Sequence, residues 1–391
     1  MFIILLTHPE FLDSQSMPRF ASMLSKGMLS KGHEVEILTA KPVFYKLPVP
    51  KALKKWMGYI DQYLIFPAKF KRKIKKSGPD TLYVFTDHAL GPWVPLVAGK
   101  KHVVHCHDFL AQKSALSQFP QNKTGWTGRK YQAFIRRGYS KARNFISVSK
   151  KTQADLHEFL GRVPDVSEVV YNGLNQAFTV RDDTVCRQIL KQKTGLNLDD
   201  GYILHVGGNQ WYKNRAGVIN IYDAWRDQSN IKLPLVLIGQ PAAQPILDAC
   251  SSSRYQNDIH LLSGIEDGLI GVAYSGATVM LFPSIAEGFG WPIVEAMASG
   301  CPVITTDAAP MTEVAGQAGY LIPVMPYNKD MQDAWAINAA RVLEDVVTLP
   351  AAERKKTIDA GIVNAARFAK NTALDNIERI YKVIENFEVK K

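Results

Sequence analysis

Glu287 and Glu295 stand eight positions apart in the stretch Phe282-Pro283-Ser284-Ile285-Ala286-Glu287-Gly288-Phe289-Gly290-Trp291-Pro292-Ile293-Val294-Glu295-Ala296-Met297-Ala298-Ser299-Gly300. An apolar strand is predicted to end at Phe282, and a glycine-flanked loop follows it. A short helix then opens with Pro292 at its first position and stops at Gly300, the usual punctuation of proline inside the start and glycine past the end. Its N-terminus presents unpaired backbone N–H groups and a partial positive charge at the end of a strand, which suits a phosphate-bearing ligand. Gly288 and Gly290 let the backbone approach that ligand with no Cβ in between. Carboxylates accept hydrogen bonds from pairs of hydroxyls, as on a sugar or a ribose. With Glu287 in the loop and Glu295 in the first helical turn, both are expected to face one ligand. Spacing alone leaves another reading open, in which Glu287 caps the helix and Glu295 is a solvated first-turn acid.

A loop of this kind needs a parallel sheet behind it, and the rest of the chain supplies the pattern for two. Short aliphatic runs are predicted as strands at Phe2–Thr7, Glu34–Thr39, Thr81–Thr86, His102–His105, Asn144–Ser149 and Glu168–Tyr171. A second series follows at Tyr202–Val206, Leu235–Ile238, Ile259–Leu262, Thr278–Phe282, Pro302–Thr305 and Tyr320–Ile322. Strands alternating with amphipathic stretches imply parallel sheets covered by helices on both faces, and such sheets bind ligands at the carboxyl ends of their strands. A length of 391 residues is enough for two such domains, and 46% hydrophobic with 21% charged residues is an ordinary globular composition. The polar segment from Thr179 to Asp200 reads as the linker and first helix of the second domain. Between Thr372 and Val389 the apolar residues Ala373, Ile377, Ile380, Tyr381, Ile384 and Phe387 have the spacing of an amphipathic helix. The opening Phe2–Leu6 run is too short to span a bilayer and lacks the flanks of a signal peptide, so it is expected to be a buried strand. Cys106, Cys186, Cys250 and Cys301 show no CxxC spacing, so neither a metal site nor a disulfide framework is expected, and a reducing cytoplasm is the simplest home.

In its context Glu-Gly-Phe-Gly and Glu-Ala-Met-Ala-Ser-Gly-Cys-Pro-Val-Ile, the pair Glu287–Glu295 resembles the Glu-x7-Glu signature of the retaining glycosyltransferases of family 4. The resemblance extends in order through Gly32-His33-Glu34-Val35, His107-Asp108, Val148-Ser149, Asn172-Gly173-Leu174, Val206-Gly207, Lys213-Asn214, Gly300-Cys301-Pro302-Val303 and Glu313 with Gly319. It implies the α/β fold called GT-B, two Rossmann-like doubly wound domains facing across a deep cleft, with the C-terminal helix returning to the N-terminal domain. It also implies an acceptor-side domain at 1–172 plus about 373–391, and a donor-binding domain at 173–372.

Carried over position by position, the resemblance has Glu287 holding hydroxyls of the transferred sugar, aided by the backbone around Gly288, Phe289 and Gly290. Glu295 would bind the ribose and Lys213 the diphosphate, with Gly208 and Asn209 in the same loop. Gly264-Ile265 would read the base, and His107 would stand near the reacting sugar. Retention is explained in this family by front-face attack, in which the leaving phosphate helps to deprotonate the acceptor. The nucleotide sugar, UDP- or GDP-linked, is a co-substrate; neither a cofactor nor a metal is required by the motif. The acceptor is expected to be a saccharide or lipid-linked saccharide in cell-surface polysaccharide or glycolipid assembly. Two rivals remain at this point: a sugar-nucleotide epimerase of the same fold, and a non-catalytic nucleotide-sugar-binding subunit at the membrane.

Two departures stand out. Where the family commonly has an arginine after Val206-Gly207, this chain has Gly208-Asn209, and Arg215 is the candidate to compensate. The loop from Thr7 to Met17 lacks the glycine pair often found there, and carries Ser14 and Ser16, with Arg19 close by.

The net charge of +11 has its densest source between Lys46 and Lys76, where nine basic residues from Lys51 to Lys76 face one acid, Asp61. Trp56, Tyr59, Tyr63, Leu64 and Phe66 are interleaved with them. Such a stretch suits an anionic membrane surface; it reads equally as a solvated basic helix packed on its own domain. No nucleic-acid recognition motif accompanies the charge. The expectation is a cytoplasmic protein, peripheral on the membrane's cytoplasmic face if the first reading holds.

Overall fold

The computed structural model describes residues 1–12, 16–174 and 176–387; Ser14 and Val389 lie outside them. The chain divides into one unit made of Met1–Phe119, Lys123–Asn175 and Lys370–Lys391, and another made of Pro120–Asn122 and Gln176–Ala369. Each is built on a six-stranded parallel sheet, and the chain has the two-domain GT-B fold.

In the first unit the strands are β1 (Phe2–Leu6), β2 (Glu34–Leu38), β3 (Thr81–Phe85), β4 (His102–Cys106), β5 (Asn144–Ser147) and β6 (Val166–Val169), in the order β2-β1-β3-β4-β5-β6. Strand β1 is apolar throughout because both faces of the sheet are covered. Ile4 and Leu6 pack with Phe66, Phe70, Tyr83, Phe85 and Trp93, while Ile3 and Leu5 pack with Phe20, Leu24, Leu82, Val84 and Ile377. Successive side chains alternate faces, so a sheet buried on both sides reads as a continuous apolar run.

The second of these faces is closed by a helix from far along the chain. Helix Lys370–Glu385 lays Ala373, Leu374, Ile377, Ile380, Tyr381 and Ile384 onto it, beside helix Ser16–Ser30. Their approach depends on Gly27, where a Cβ would meet Leu374 Cδ2 at 2.5 Å. The Tyr381 hydroxyl lies 2.7 Å from His105 Nε2, and burial pushes that imidazole down to about 3, so it stays neutral.

The basic stretch is a helix (Lys51–Ile60) continued through a π turn (Asp61–Ile65) into a second helical run (Phe66–Lys76). The cause of the widened turn is local. Asp61 is buried and accepts hydrogen bonds from the backbone N–H groups of Val43, Phe44 and Tyr45 at 3.1, 2.9 and 2.9 Å. The Gln62 carbonyl, released by the turn, accepts from Trp93 Nε1 at 2.8 Å. Asp61 is therefore an anchor for the preceding loop rather than a countercharge to the lysines. Phe66 and Phe70 enter the core, whereas Leu53, Trp56, Leu64 and Ile65 are exposed.

The second unit has β7 (Ile203–Val206), β8 (Leu235–Gly239), β9 (Ile259–Ser263), β10 (Val279–Phe282), β11 (Val303–Thr306) and β12 (Tyr320–Ile322), in the order β12-β11-β10-β7-β8-β9. Ile203, Leu235, Leu237, Val279, Leu281 and Ile304 form one core with Tyr222 and Trp225 of helix Arg215–Arg226 and Trp335 and Leu343 of helix Gln332–Val347. Each sheet reverses its strand order once, between β1 and β3 in the first unit and between β7 and β10 in the second. Outside the carboxyl ends of such neighbouring strands the connections diverge and leave a crevice, where ligands of open α/β sheets bind.

Candidate active site

At the second unit's switch point, the loops after β7 and β10 are tied together. After β7 the chain runs through Gly207–Gln210 and a 3-10 turn, Trp211–Lys213. It then enters the next helix through Asn214 at φ 53°, a conformation asparagine tolerates better than most residues. Asn214 Nδ2 donates to the Pro283 carbonyl at 3.0 Å, and the Ile285 N–H donates to the Tyr212 carbonyl at 2.7 Å. Behind them Gly239 allows a close backbone passage, since a Cβ there would stand 2.0 Å from the Gly207 oxygen.

This stitching brings Lys213 and Glu287 into contact. Lys213 Nζ donates to Glu287 Oε1 at 2.7 Å, with the two side chains only 15% and 8% exposed. The ammonium also lies over the rings of Phe282 and Tyr212, 5.1 and 5.6 Å from their centroids, where the ring quadrupoles favour a cation.

The helix after the loop is Trp291–Ala298, preceded by Gly290 at φ 108°. Pro292 is thus its second residue rather than its first, and Glu295 lies one turn in rather than within the first turn. Proline is accepted there because the N–H groups of the first turn have no intrahelical partner to lose. Glu295 Oε2 accepts a hydrogen bond from the hydroxyl of buried Tyr274 at 2.9 Å. The Phe289 ring is buried against Trp291 and Phe368, which fixes the loop between the two glycines.

Gly264, at φ 70°, and Ile265 follow β9 at the sheet edge, with β8 between β9 and β7. Gly208 and Asn209 sit in the β7 loop. Arg215 is buried, donating from Nη1 to Asn209 Oδ1 at 2.7 Å, while Asn209 Nδ2 donates to the Pro241 carbonyl at 2.7 Å. Arg215 braces this loop from below.

His107 belongs to the first unit, at the carboxyl end of β4. Its Nε2 lies 2.9 Å from the Thr86 carbonyl, which fixes the proton on that nitrogen, and burial lowers its pKa. Asp108 Oδ1 accepts from the Leu110 N–H at 3.0 Å and so starts the following helix. Sequence reasoning missed the residues next to it. His8, after β1, donates from Nε2 to Asp87 Oδ2 at 2.8 Å, and His88 Nδ1 lies 2.8 Å from Asp87 Oδ1. Burial works against the Asp87 charge, yet His88 and His8 hold its pKa well below the usual carboxylate range. No local motif marks these three, because the strand order, not the sequence spacing, brings residue 8 to residue 87. Among the described residues, no group of three or more His, Cys, Asp and Glu side chains is arranged to hold a metal ion.

The fold and this loop geometry define a GT-B transferase architecture. Residues 17–178 match the family described as Glycosyltransferase Family 4, and residues 187–358 match the one described as Glycosyl transferases group 1. The chain belongs to family 4 and is a glycosyltransferase. It is 24% identical over 343 residues to an uncharacterized glycosyltransferase of Methanocaldococcus jannaschii, covering 82% of this chain and 83% of that one. It is also 30% identical over 121 residues to O-antigen chain mannosyltransferase B of Escherichia coli, a match to 30% of this chain and 32% of that protein. Sucrose-phosphate synthase of Thermosynechococcus elongatus shares the fold at a TM-score of 0.72 and 18% identity, over 98% of this chain and 99% of that structure.

Proposed function

We propose that this chain moves a sugar, with retention of anomeric configuration, from a UDP- or GDP-sugar to a saccharide or lipid-linked saccharide in cell-surface polysaccharide or glycolipid assembly. The observation that carries the reading is the Lys213–Glu287 pair at the switch point of the second sheet. A cation and a carboxylate side by side suit a ligand whose diphosphate is anionic and whose sugar offers hydroxyl donors. Lys213 neutralises the diphosphate, on which charge develops as the glycosidic bond breaks. Glu287 and the amides of Gly288–Gly290 hold the sugar, and Glu295 the ribose. The turn at Gly264-Ile265 faces the base, and His107 works at the reacting sugar. Attack from the face the nucleotide leaves requires no enzyme nucleophile. Similarity to an O-antigen mannosyltransferase supports a polysaccharide acceptor.

The same reading puts the protein on the cytoplasmic face of an anionic membrane. No helix among the described residues is long and apolar enough to cross one. The Lys51–Lys76 helix, with Trp56 53% exposed and Leu64 68% exposed, has the lysines and apolar side chains that interfacial helices use.

The test is a thermal-shift screen of UDP-, GDP- and ADP-sugars, followed by assignment of the product anomer. A donor at 100 times its dissociation constant adds about 2.7 kcal/mol. No stabilisation by any nucleotide sugar, or an inverted product, refutes the reading.

A further inference from the structure

At the carboxyl edge of the first sheet, two imidazoles are anchored to consecutive residues at the end of one strand. His107 Nε2 is tied to the Thr86 carbonyl, and His8 Nε2 to the Asp87 carboxylate. A carboxylate and a carbonyl only accept, so both histidines carry their proton on Nε2 and each keeps Nδ1 as the acceptor of its neutral form. Asp87 is itself held on three sides, by His8, by His88 and by the Ala89 N–H at 3.1 Å, so the His8 ring is aimed by a fixed partner. His88 packs inward against Phe109 and Tyr139, whereas His8 is part-exposed, beside the β1–β3 reversal where ligands of such sheets bind. No further hydrogen-bond partner of His8 is found among the described residues.

We propose that His8, aimed by Asp87, is a saccharide-binding residue of the first unit, accepting at Nδ1 a hydrogen bond from a hydroxyl of the acceptor sugar. This rests on the transferase reading above. It gives Asp87 a positioning role: the carboxylate never meets the sugar but selects the tautomer that can. The step is one of binding only, with no bond made or broken at His8.

The experiment uses the whole chain with histidine nitrogens labelled, and long-range proton–nitrogen spectra at pH 8, with the His8 signals assigned from His8→Gln. The probes are methyl α-mannopyranoside and methyl β-glucopyranoside, each added with UDP or GDP. The expected result is that at least one glycoside moves the His8 Nδ1 resonance upfield while Nε2 stays protonated. Glycoside affinity should fall roughly five- to tenfold in His8→Gln, about what one hydrogen bond contributes. Asp87→Asn should show mixed tautomers at His8 and a similar loss; if that variant fails to fold, His8→Gln carries the test alone. His8 nitrogens that ignore both glycosides overturn the proposal, as does unchanged affinity in His8→Gln. UDP and GDP binding, measured on the same samples, separates the two ideas. If neither nucleotide binds wild type, the donor reading has failed; if nucleotide binds normally and only the His8 response is missing, this inference alone has failed.

Discussion

Replacing Glu287 by glutamine removes a charge while keeping the side chain's shape, and it isolates what the 2.7 Å contact with Lys213 does to donor binding. A diphosphate sharing that ammonium lies at most two charge-assisted hydrogen bonds from the carboxylate, which puts its anionic oxygens about 5–6 Å away. Two unit charges at that distance repel by about 3 kcal/mol at an effective dielectric of 20, and by less than 1 in bulk water. Lys213 and Glu287 are mostly buried but not sealed, so about 1–2 kcal/mol is the reasonable value. Glu287→Gln should therefore bind free UDP or GDP roughly five- to thirtyfold more tightly than wild type, while turnover with the complete donor falls because the sugar hydroxyls lose their acceptor. Lys213→Ala should weaken the same nucleotide roughly ten- to hundredfold, the loss of a charge-assisted hydrogen bond. Calorimetric titration of both variants at one ionic strength decides the matter. If Glu287→Gln weakens the nucleotide as much as Lys213→Ala does, the carboxylate is a structural support for the loop and the division of roles is wrong.

Other consequences are open to measurement. Gly239→Ala forces a methyl group against the Gly207 oxygen, so we expect about 1–3 kcal/mol of destabilisation together with weaker nucleotide binding; wild-type values for both in denaturation and titration would refute the close-approach argument. Hydrogen bonding to Lys382, with His33 and Lys31 adding, pulls the Glu378 carboxyl down to about 2. Its folded value lies below its unfolded one, so the stability it gives is present above about pH 4.5 and lost as pH falls toward 2; urea unfolding at pH 6 and pH 3 should show a smaller acid loss in Glu378→Gln than in wild type. Binding to anionic vesicles should fall steeply as salt rises past the point where the Debye length is about 8 Å. Changing Lys71, Arg72, Lys73, Lys75 and Lys76 to Glu should abolish it in co-sedimentation. Wild type that ignores anionic vesicles at low salt leaves a soluble acceptor.

Strand positions were legible because strands buried on both faces announce themselves, and β1 and β12 stand within one residue of where their apolar runs place them. β6 is displaced toward the N-terminus, to Val166–Val169. Its register is set by pairing Asn144–Ser147 with Val166–Val169, and the polar Ser167 and Glu168 hide it from a hydrophobicity reading. In the site, Glu287 and Glu295 were visible through local spacing. The Lys213 contact, the Tyr274 partner of Glu295 and the His8–Asp87 pair were not, because each joins elements that only the sheet order makes neighbours. The role of Asp61 was hidden for a related reason: composition counts its charge, but only the fold shows three backbone N–H groups converging on it.

The helix Lys370–Glu385 gives the first unit a peculiar schedule during synthesis. One face of its sheet, including Ile3, Leu5, Leu82 and Val84, is finished only by Leu374, Ile377 and Tyr381. Those residues leave the ribosome roughly 200 residues after β6, which at 5–20 residues per second means about 10–40 seconds of waiting. All six strands of the second unit, β7 to β12, are made within that interval. The part of the chain made first is thus the part sealed last, and a nascent chain stalled before Leu374 would leave this face covered only by helix Ser16–Ser30, its remaining apolar surface a natural target for chaperones. Truncating the helix should harm the first unit, whose strands lie some 200 residues or more earlier in the sequence, far more than the unit it directly follows.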